Sequence, residues 1–195
     1  MNTRVHARWI DQRFEWHRAI WIECGELMDH IGYKWWKRQS PDMDQVRLEI
    51  IDIWHFGLSA LFEPGKEIPA IADKLARQLD SHHPKQLDPR VATEALALNA
   101  LQTSSFSPAH FLDLMASVDM QFNELYSGYV GKNVLNFFRQ DNGYKEGTYA
   151  KIWEGREDNE HLVELIATLD SNALDFADQL YAALSARYQC AGARS

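Results

Sequence analysis

Basic residues are in short supply in this 195-residue chain, with 20 Lys and Arg against 28 Asp and Glu and a formal net charge of −8. A general binder of nucleic acid or of an anionic membrane needs a basic footprint, so this balance argues against both. A local basic pocket for phosphate is still allowed. Cysteine is scarcer: Cys24 lies inside an apolar run, Cys190 lies near the C-terminus, and the two have no metal-type spacing. A disulfide framework is therefore not expected, and a reducing, cytoplasmic setting fits better. The opening "MNTRVHARWIDQR" has no apolar stretch of the secretory kind. No run approaches the roughly 18 uninterrupted apolar residues of a membrane span. Sustained period-2 alternation is also missing, which argues against a β core.

What is present reads as helix. Apolar residues make up 46% of the chain and charged residues 25%, the balance of a folded protein with one sizeable core. Apolar positions recur at 3 to 4 spacing from Trp16 to about Trp36. "SPDMD" offers Ser40 as a cap and Pro41 as the first residue of a second helix running to "EPG" at 63–65. "IPAIADKLARQLD" predicts a shorter helix. Asp88–Pro89 and Ser107–Pro108 open two more, and a last amphipathic stretch begins at Asp158 or Asn159. The expectation is an all-α chain of five to seven helices in one bundle-like domain over residues 1–195. One segment departs from it: residues 140–159, "QDNGYKEGTYAKIWEGREDN", read as a loop, and loops of that length inside a compact chain are usually functional or disordered. Its aromatic and Gly punctuation favours function.

The stretch "LEIIDIWHFGLSALF", residues 48–62, reads as buried core yet carries Glu49, Asp52 and His55. Glu49 and Asp52 stand at i and i+3 on one helix face, and Glu23 and Glu26 repeat that spacing in "AIWIECGELM". The two pairs are equidistant from the start of the "KRQSPD" break, so an antiparallel hairpin brings four carboxylates to one level. Their mutual repulsion is relieved by a hard cation, and an all-oxygen donor set suits Mg²⁺ or Mn²⁺. A single Glu-x-x-Glu is ordinarily a solvated face, and ion pairs with Lys34, Lys37, Arg38 or Arg47 are the structural alternative. Asp52-x-x-His55 also matches half of a di-iron carboxylate site. Its only candidate partner is Asp80 to His83, beside Pro84 in a loop, which leaves that reading weak. His55 alone is either a satisfied core histidine or a substrate contact.

A polyanionic substrate needs cations as well. Lys132, Asn136 and Arg139 share a helix face at i, i+4 and i+7, with Tyr144, Lys145 and Lys151 following. "GYVGKN" has neither the spacing nor the Ser/Thr of a Walker loop. Alone, these residues suit a solvated surface; beside the acidic quartet they suit a phosphate clamp.

"AIWIECGELMDHIGYKWWK", "VRLEIIDIWHFGLS" and "YVGKNVLNFFRQDNGYKEGTYAKIWEGREDN" together resemble the blocks of the dimeric, all-α dUTPases, within the all-α nucleoside triphosphate pyrophosphohydrolases. The resemblance covers about the first third of the chain and residues 129–159. It implies Mg²⁺-dependent hydrolysis of dUTP, and of dUDP, to dUMP by a homodimer, an activity that limits uracil incorporation into DNA. It also implies Glu23, Glu26, Glu49 and Asp52 as metal ligands, with Glu26 or Glu23 helping to deprotonate the attacking water. Trp36 and His55 would line the uracil and deoxyribose side. Lys132, Asn136, Arg139, Tyr144, Lys145 and Lys151 match nucleotide and phosphate contacts, and Asp158 and Asn159 match the closing EDN segment. A segment around 129–160 would close over the nucleotide, with Gly143, Gly147 and Gly155 as hinge points.

Asn2 matches the Asn of a Gln/Asn pair that reads uracil in the family. The Gln would fall before Met1, and Gln12 stands at the wrong spacing. Either the start lies upstream, or uracil selectivity is weaker or differently built. A relative acting on another nucleotide such as dCTP, and a non-catalytic helical partner-binding protein, are the competing expectations.

Overall fold

Short polar residues followed by proline start two helices where the spacing predicts them. In the computed structural model, which describes residues 2–192, the Asp88 carboxylate accepts from Arg90 N–H at 2.9 Å and the Ser107 hydroxyl from His110 N–H at 3.4 Å. Each satisfies a donor that the first helical turn leaves open. The elements run α1 (Asn2–Val5), a 3₁₀ turn (Trp9–Gln12), α2 (Trp16–Ile31), α3 (Met43–Ala60), α4 (Ile68–Asp80), α5 (Pro89–Thr103), α6 (Pro108–Ser117), α7 (Phe122–Asp141), β1 (Ile152–Trp153), β2 (Arg156–Glu157), α8 (Asp158–Thr168) and α9 (Phe176–Gly192). The all-α expectation holds: among the described residues the only strands are β1 and β2, a two-residue antiparallel ladder. No helix among them is long and apolar enough to cross a membrane.

The helices number nine among the described residues rather than five to seven. The short α1 and two divided stretches account for the added helices, and one helix end also moves. Helix α2 ends at Ile31, not near Trp36, because Gly32 turns to φ 88° and donates its N–H back to Met28. The stretch from Ser107 divides at residues 118–121, where Asp119 takes φ 54°. The C-terminal stretch divides into α8 and α9. The cap of α3 is also corrected: Asp42, not Ser40, accepts from Gln45 N–H at 3.2 Å. A carboxylate at the helix start has the helix dipole in its favour as well as the hydrogen bond.

The chain forms two compact units, Asn2–Phe122 and the residues from Asn123 onward. In the first, α2 packs against α3 and α5, and α6 packs against α3, α4 and α5. Asp42 N–H donates to His30 O at 3.0 Å and closes the α2–α3 hairpin. Ile20, Cys24 and Leu27 form the buried stripe of α2, and Val46, Ile50, Ile53 and Gly57 that of α3. Both follow the 3 to 4 spacing of an inward helix face. Each large aliphatic side chain so buried contributes about 1.5–3 kcal/mol. Gly57 allows close approach, because a Cβ there would lie 2.6 Å from the Phe106 ring. Phe106 in turn joins Trp54 and Phe111 in an aromatic cluster.

In the second unit, Val134, Leu135 and Phe138 of α7 pack with Trp153, with Leu162 and Leu165 of α8, and with Phe176, Leu180 and Leu184 of α9. The expected loop at 140–159 contains the β1–β2 hairpin, pinned to α8 by the buried His161. Its Nε2–H donates to Trp153 O at 2.9 Å, and its ring stacks on that indole.

Candidate active site

The α2–α3 hairpin brings part of the acidic quartet together. One carboxylate oxygen each from Glu23, Glu49 and Asp52 lies within 4.8 Å of the others. Glu49 is buried, and Glu23 and Asp52 are half-buried. Burial, a hydrogen bond shared with Glu49, and then the charges of Asp52, Glu49 and Glu26 push the Glu23 carboxyl up to about 8. Such a cluster keeps a proton at neutral pH unless a cation replaces it. All-oxygen donors at this spacing fit a hard divalent ion such as Mg²⁺. Glu26 is exposed and stands outside the group of three, close enough for its charge to act on Glu23. Of the proposed structural counter-ions, Lys34 is paired with Asp29 at 2.6 Å.

Sequence reasoning missed His30. Its Nε2 lies 3.6 Å from Glu49. The signal was available, since Glu23, Glu26 and His30 share one face at i, i+3 and i+7.

His55 is half-buried on α3, one turn from Ser59. Asn2 Nδ2 donates to Ser59 Oγ at 2.8 Å, and Ser59 Oγ donates to His55 O at 2.8 Å. The structure thus ties Asn2 to the backbone of His55. Trp36 lies in the turn after α2, with 61% of its surface exposed, edge-on to Trp35 and Tyr33. That leaves an indole able to stack on a planar ligand.

The second unit has its own convergence. Asp158 is fully buried and holds Arg139 in a two-pronged pair, Nε to Oδ2 and Nη2 to Oδ1, each 2.7 Å. Arg139 Nη1 donates to Asn136 Oδ1 at 3.3 Å and Nη2 to Asn159 Oδ1 at 3.5 Å. Four residues read from the sequence, Asn136, Arg139, Asp158 and Asn159, therefore meet. Bidentate geometry fixes the plane of the guanidinium as well as its position. Lys132 sits one turn before Asn136, half-buried. Tyr144 and Lys145 are exposed on the turn after α7, and exposed Lys151 pairs with Glu157 at 3.1 Å. The sequence reading did not find Tyr149, whose hydroxyl also donates to Asp158 at 2.8 Å.

Comparison with curated proteins returned no match. A sequence-family profile described as dUTPase matches residues 1–144. The matched span includes the acidic cluster, Trp36, His55, Lys132, Asn136, Arg139 and Tyr144. It stops before Lys145, Lys151, Asp158 and Asn159. With nearly three-quarters of its length matched and a predominantly helical fold, the chain belongs to the dimeric, all-α dUTPase family and is a dUTP diphosphatase, a hydrolase acting on a nucleotide.

Proposed function

We propose that this chain hydrolyses dUTP, and also dUDP, to dUMP with Mg²⁺, or Mn²⁺ as a substitute, as a cytoplasmic homodimer. The observation that carries the metal reading is the spacing of Glu23, Glu49 and Asp52, three carboxylates within 4.8 Å. Glu26, one turn from Glu23 on α2, would be the fourth ligand. When bound, the cation neutralises phosphate charge and lowers the pKa of a water molecule.

The protein's own groups do the rest. Glu26, open to solvent, is suited to take the proton of the attacking water, and Glu23 is the second candidate. Trp36 stacks on the base, and His55, buttressed through Ser59 and Asn2, lines the sugar and base side. Arg139 contributes an oriented donor rather than excess charge, because Asp158 balances it. Asn136 and Asn159 flank it, Asp158 acts through it, and Lys132, Tyr144, Lys145 and Lys151 take the remaining phosphate and nucleotide contacts. Residues around 129–160 close over the nucleotide. Gly143, at φ 91°, supplies the turn, since a Cβ there would lie 2.0 Å from Thr148 Oγ1.

A second reading draws on Asn2, the residue matched to uracil recognition. It spends an amide N–H on Ser59, which leaves room for another base such as cytosine. Product analysis of dUTP, dUDP, dTTP, dCTP and UTP with Mg²⁺ separates the readings. dUMP with pyrophosphate from dUTP, and dUMP with phosphate from dUDP, without turnover of the other three supports the first, and dCTP turnover at a comparable rate supports the second. No turnover of any of them, with no rise in melting temperature on adding Mg²⁺, leaves a partner-binding protein.

A further inference from the structure

The Arg139–Asp158 pair has a third member, Tyr149. A fully buried carboxylate is tolerated when its lone pairs are filled. Arg139 supplies two of the donors to Asp158, and Tyr149 Oη supplies another to Oδ2 at 2.8 Å. Burial, and then the bond to Asp158, hold the Tyr149 phenol above its ordinary range, so the hydroxyl remains a donor.

The ring of Tyr149 is fixed as firmly. It stacks on Tyr188 of α9 at 5.4 Å and 25°, and packs near Phe138 at 6.2 Å and Trp153 at 6.4 Å. The neighbouring Ala150 N–H donates to the Tyr188 hydroxyl at 3.2 Å. On the other side, Thr148 N–H and Tyr149 N–H both donate to Gly143 O, at 3.0 and 3.3 Å, so residues 143–149 fold back on themselves. The Tyr144 ring lies 6.2 Å from that of Tyr149. One side chain thus joins the end of α7, the start of α8, the inner face of α9 and the turn that carries Tyr144 and Lys145.

We propose that Tyr149 is a positioning residue for nucleotide binding: its hydroxyl locks the Asp158 carboxylate, and through it aims the Arg139 guanidinium, while its ring seats Tyr144. The reason is geometric. Oδ2 accepts from both Arg139 Nε and Tyr149, so removing the hydroxyl frees the carboxylate to turn and loosens the two-pronged fork. A guanidinium that wanders in its plane still carries its charge but no longer meets phosphate oxygens in line. The loss falls on binding, not on the chemical step. This inference rests on the reading of Arg139 as a nucleotide contact.

The test is Tyr149→Phe in the full chain, which keeps every ring contact and removes only the hydroxyl. With dUTP and Mg²⁺, KM is expected to rise about fivefold to tenfold, the size of one hydrogen bond, with kcat within about twofold. The melting temperature should fall by no more than a few degrees. Arg139→Ala should raise KM further, and Tyr149→Phe added to Arg139→Ala should cost little more, because the two act through one path. A Tyr149→Phe enzyme with KM unchanged within about twofold, whatever its melting temperature, overturns the proposal, as does full additivity of the two changes. If Arg139→Ala itself leaves KM unchanged, the reading of Arg139 fails first, and that result is distinct from failure at Tyr149 alone.

Discussion

Glu23 on α2 and Asp52 on α3 present carboxylate oxygens within 4.8 Å of one another across the hairpin, with Glu49 between them in the chain and in the same cluster. Like charges at that distance repel in a half-buried setting, and Glu23 responds by keeping its proton. The arrangement destabilises the metal-free fold and suits it to a cation.

Glu49→Gln should therefore separate activity from stability. Turnover of dUTP is expected to fall at least about a hundredfold, because several kcal/mol of charge stabilisation is lost at tenfold per ~1.4 kcal/mol. The metal-free melting temperature should stay level or rise, since one repulsive charge is removed. Pyrophosphate release and calorimetry in chelator check both. Near-normal turnover would defeat the metal assignment.

Trp36→Ala should act on the base end. Loss of one stacking surface is worth about 1–3 kcal/mol. Discrimination between dUTP and the other nucleotides should narrow more than kcat falls, read as the ratio of kcat/KM values. An unchanged ratio would remove Trp36 from the base site.

Asp113 gives a pH dependence remote from the carboxylate cluster. Burial alone would raise its carboxyl, but Lys85 N–H at 2.8 Å and His82 Nε2 at 2.7 Å hold it below the usual range. Its folded value therefore lies under the unfolded one, near 3.8. Its stabilisation is complete above that pH and is lost as pH falls through the folded value. Asp113→Asn should cost about 1.5–3 kcal/mol at neutral pH in urea unfolding. The difference from the parent should shrink in strong acid, and a constant difference would contradict the assignment.

Gly57→Ala puts a methyl group 2.6 Å from the Phe106 ring. With Trp54 and Phe111 packed around it, Phe106 cannot retreat without opening the core. A loss of about 1–3 kcal/mol is expected from this overpacking, measured by thermal or urea unfolding. Full stability would show that the aromatic cluster yields.

Residues 140–159 should be cleaved more slowly by protease when a non-hydrolysable dUTP analogue and Mg²⁺ are bound. Equal cleavage rates with and without ligand would argue against closure of this segment.

Much of the acidic site was legible because its geometry is local. The i, i+3 spacing sets the face, and equal distance from a turn sets the level across a hairpin. Glu26 shows where that reasoning ends: it has the right spacing, yet its side chain stays exposed while Glu23 turns inward. Trp36 fell outside its expected helix because one backbone angle, at Gly32, decided where α2 stopped. The caps at Asp88 and Ser107 were readable for the same local reason, and that at Asp42 was not, because Ser40–Pro41 carries an equally good local signal.

By itself the sequence determined the helical class, most helix starts, the acidic faces of α2 and α3, and the basic face of α7. Each depends on periodicity or capping within a few residues, where backbone geometry leaves little choice. Only the tertiary structure decided that Tyr149 and Arg139 share Asp158, that His82 and Lys85 share Asp113, and that Asn2 reaches His55 through Ser59. These are contacts between distant segments, and they follow from how buried polar groups find partners once the apolar faces have packed.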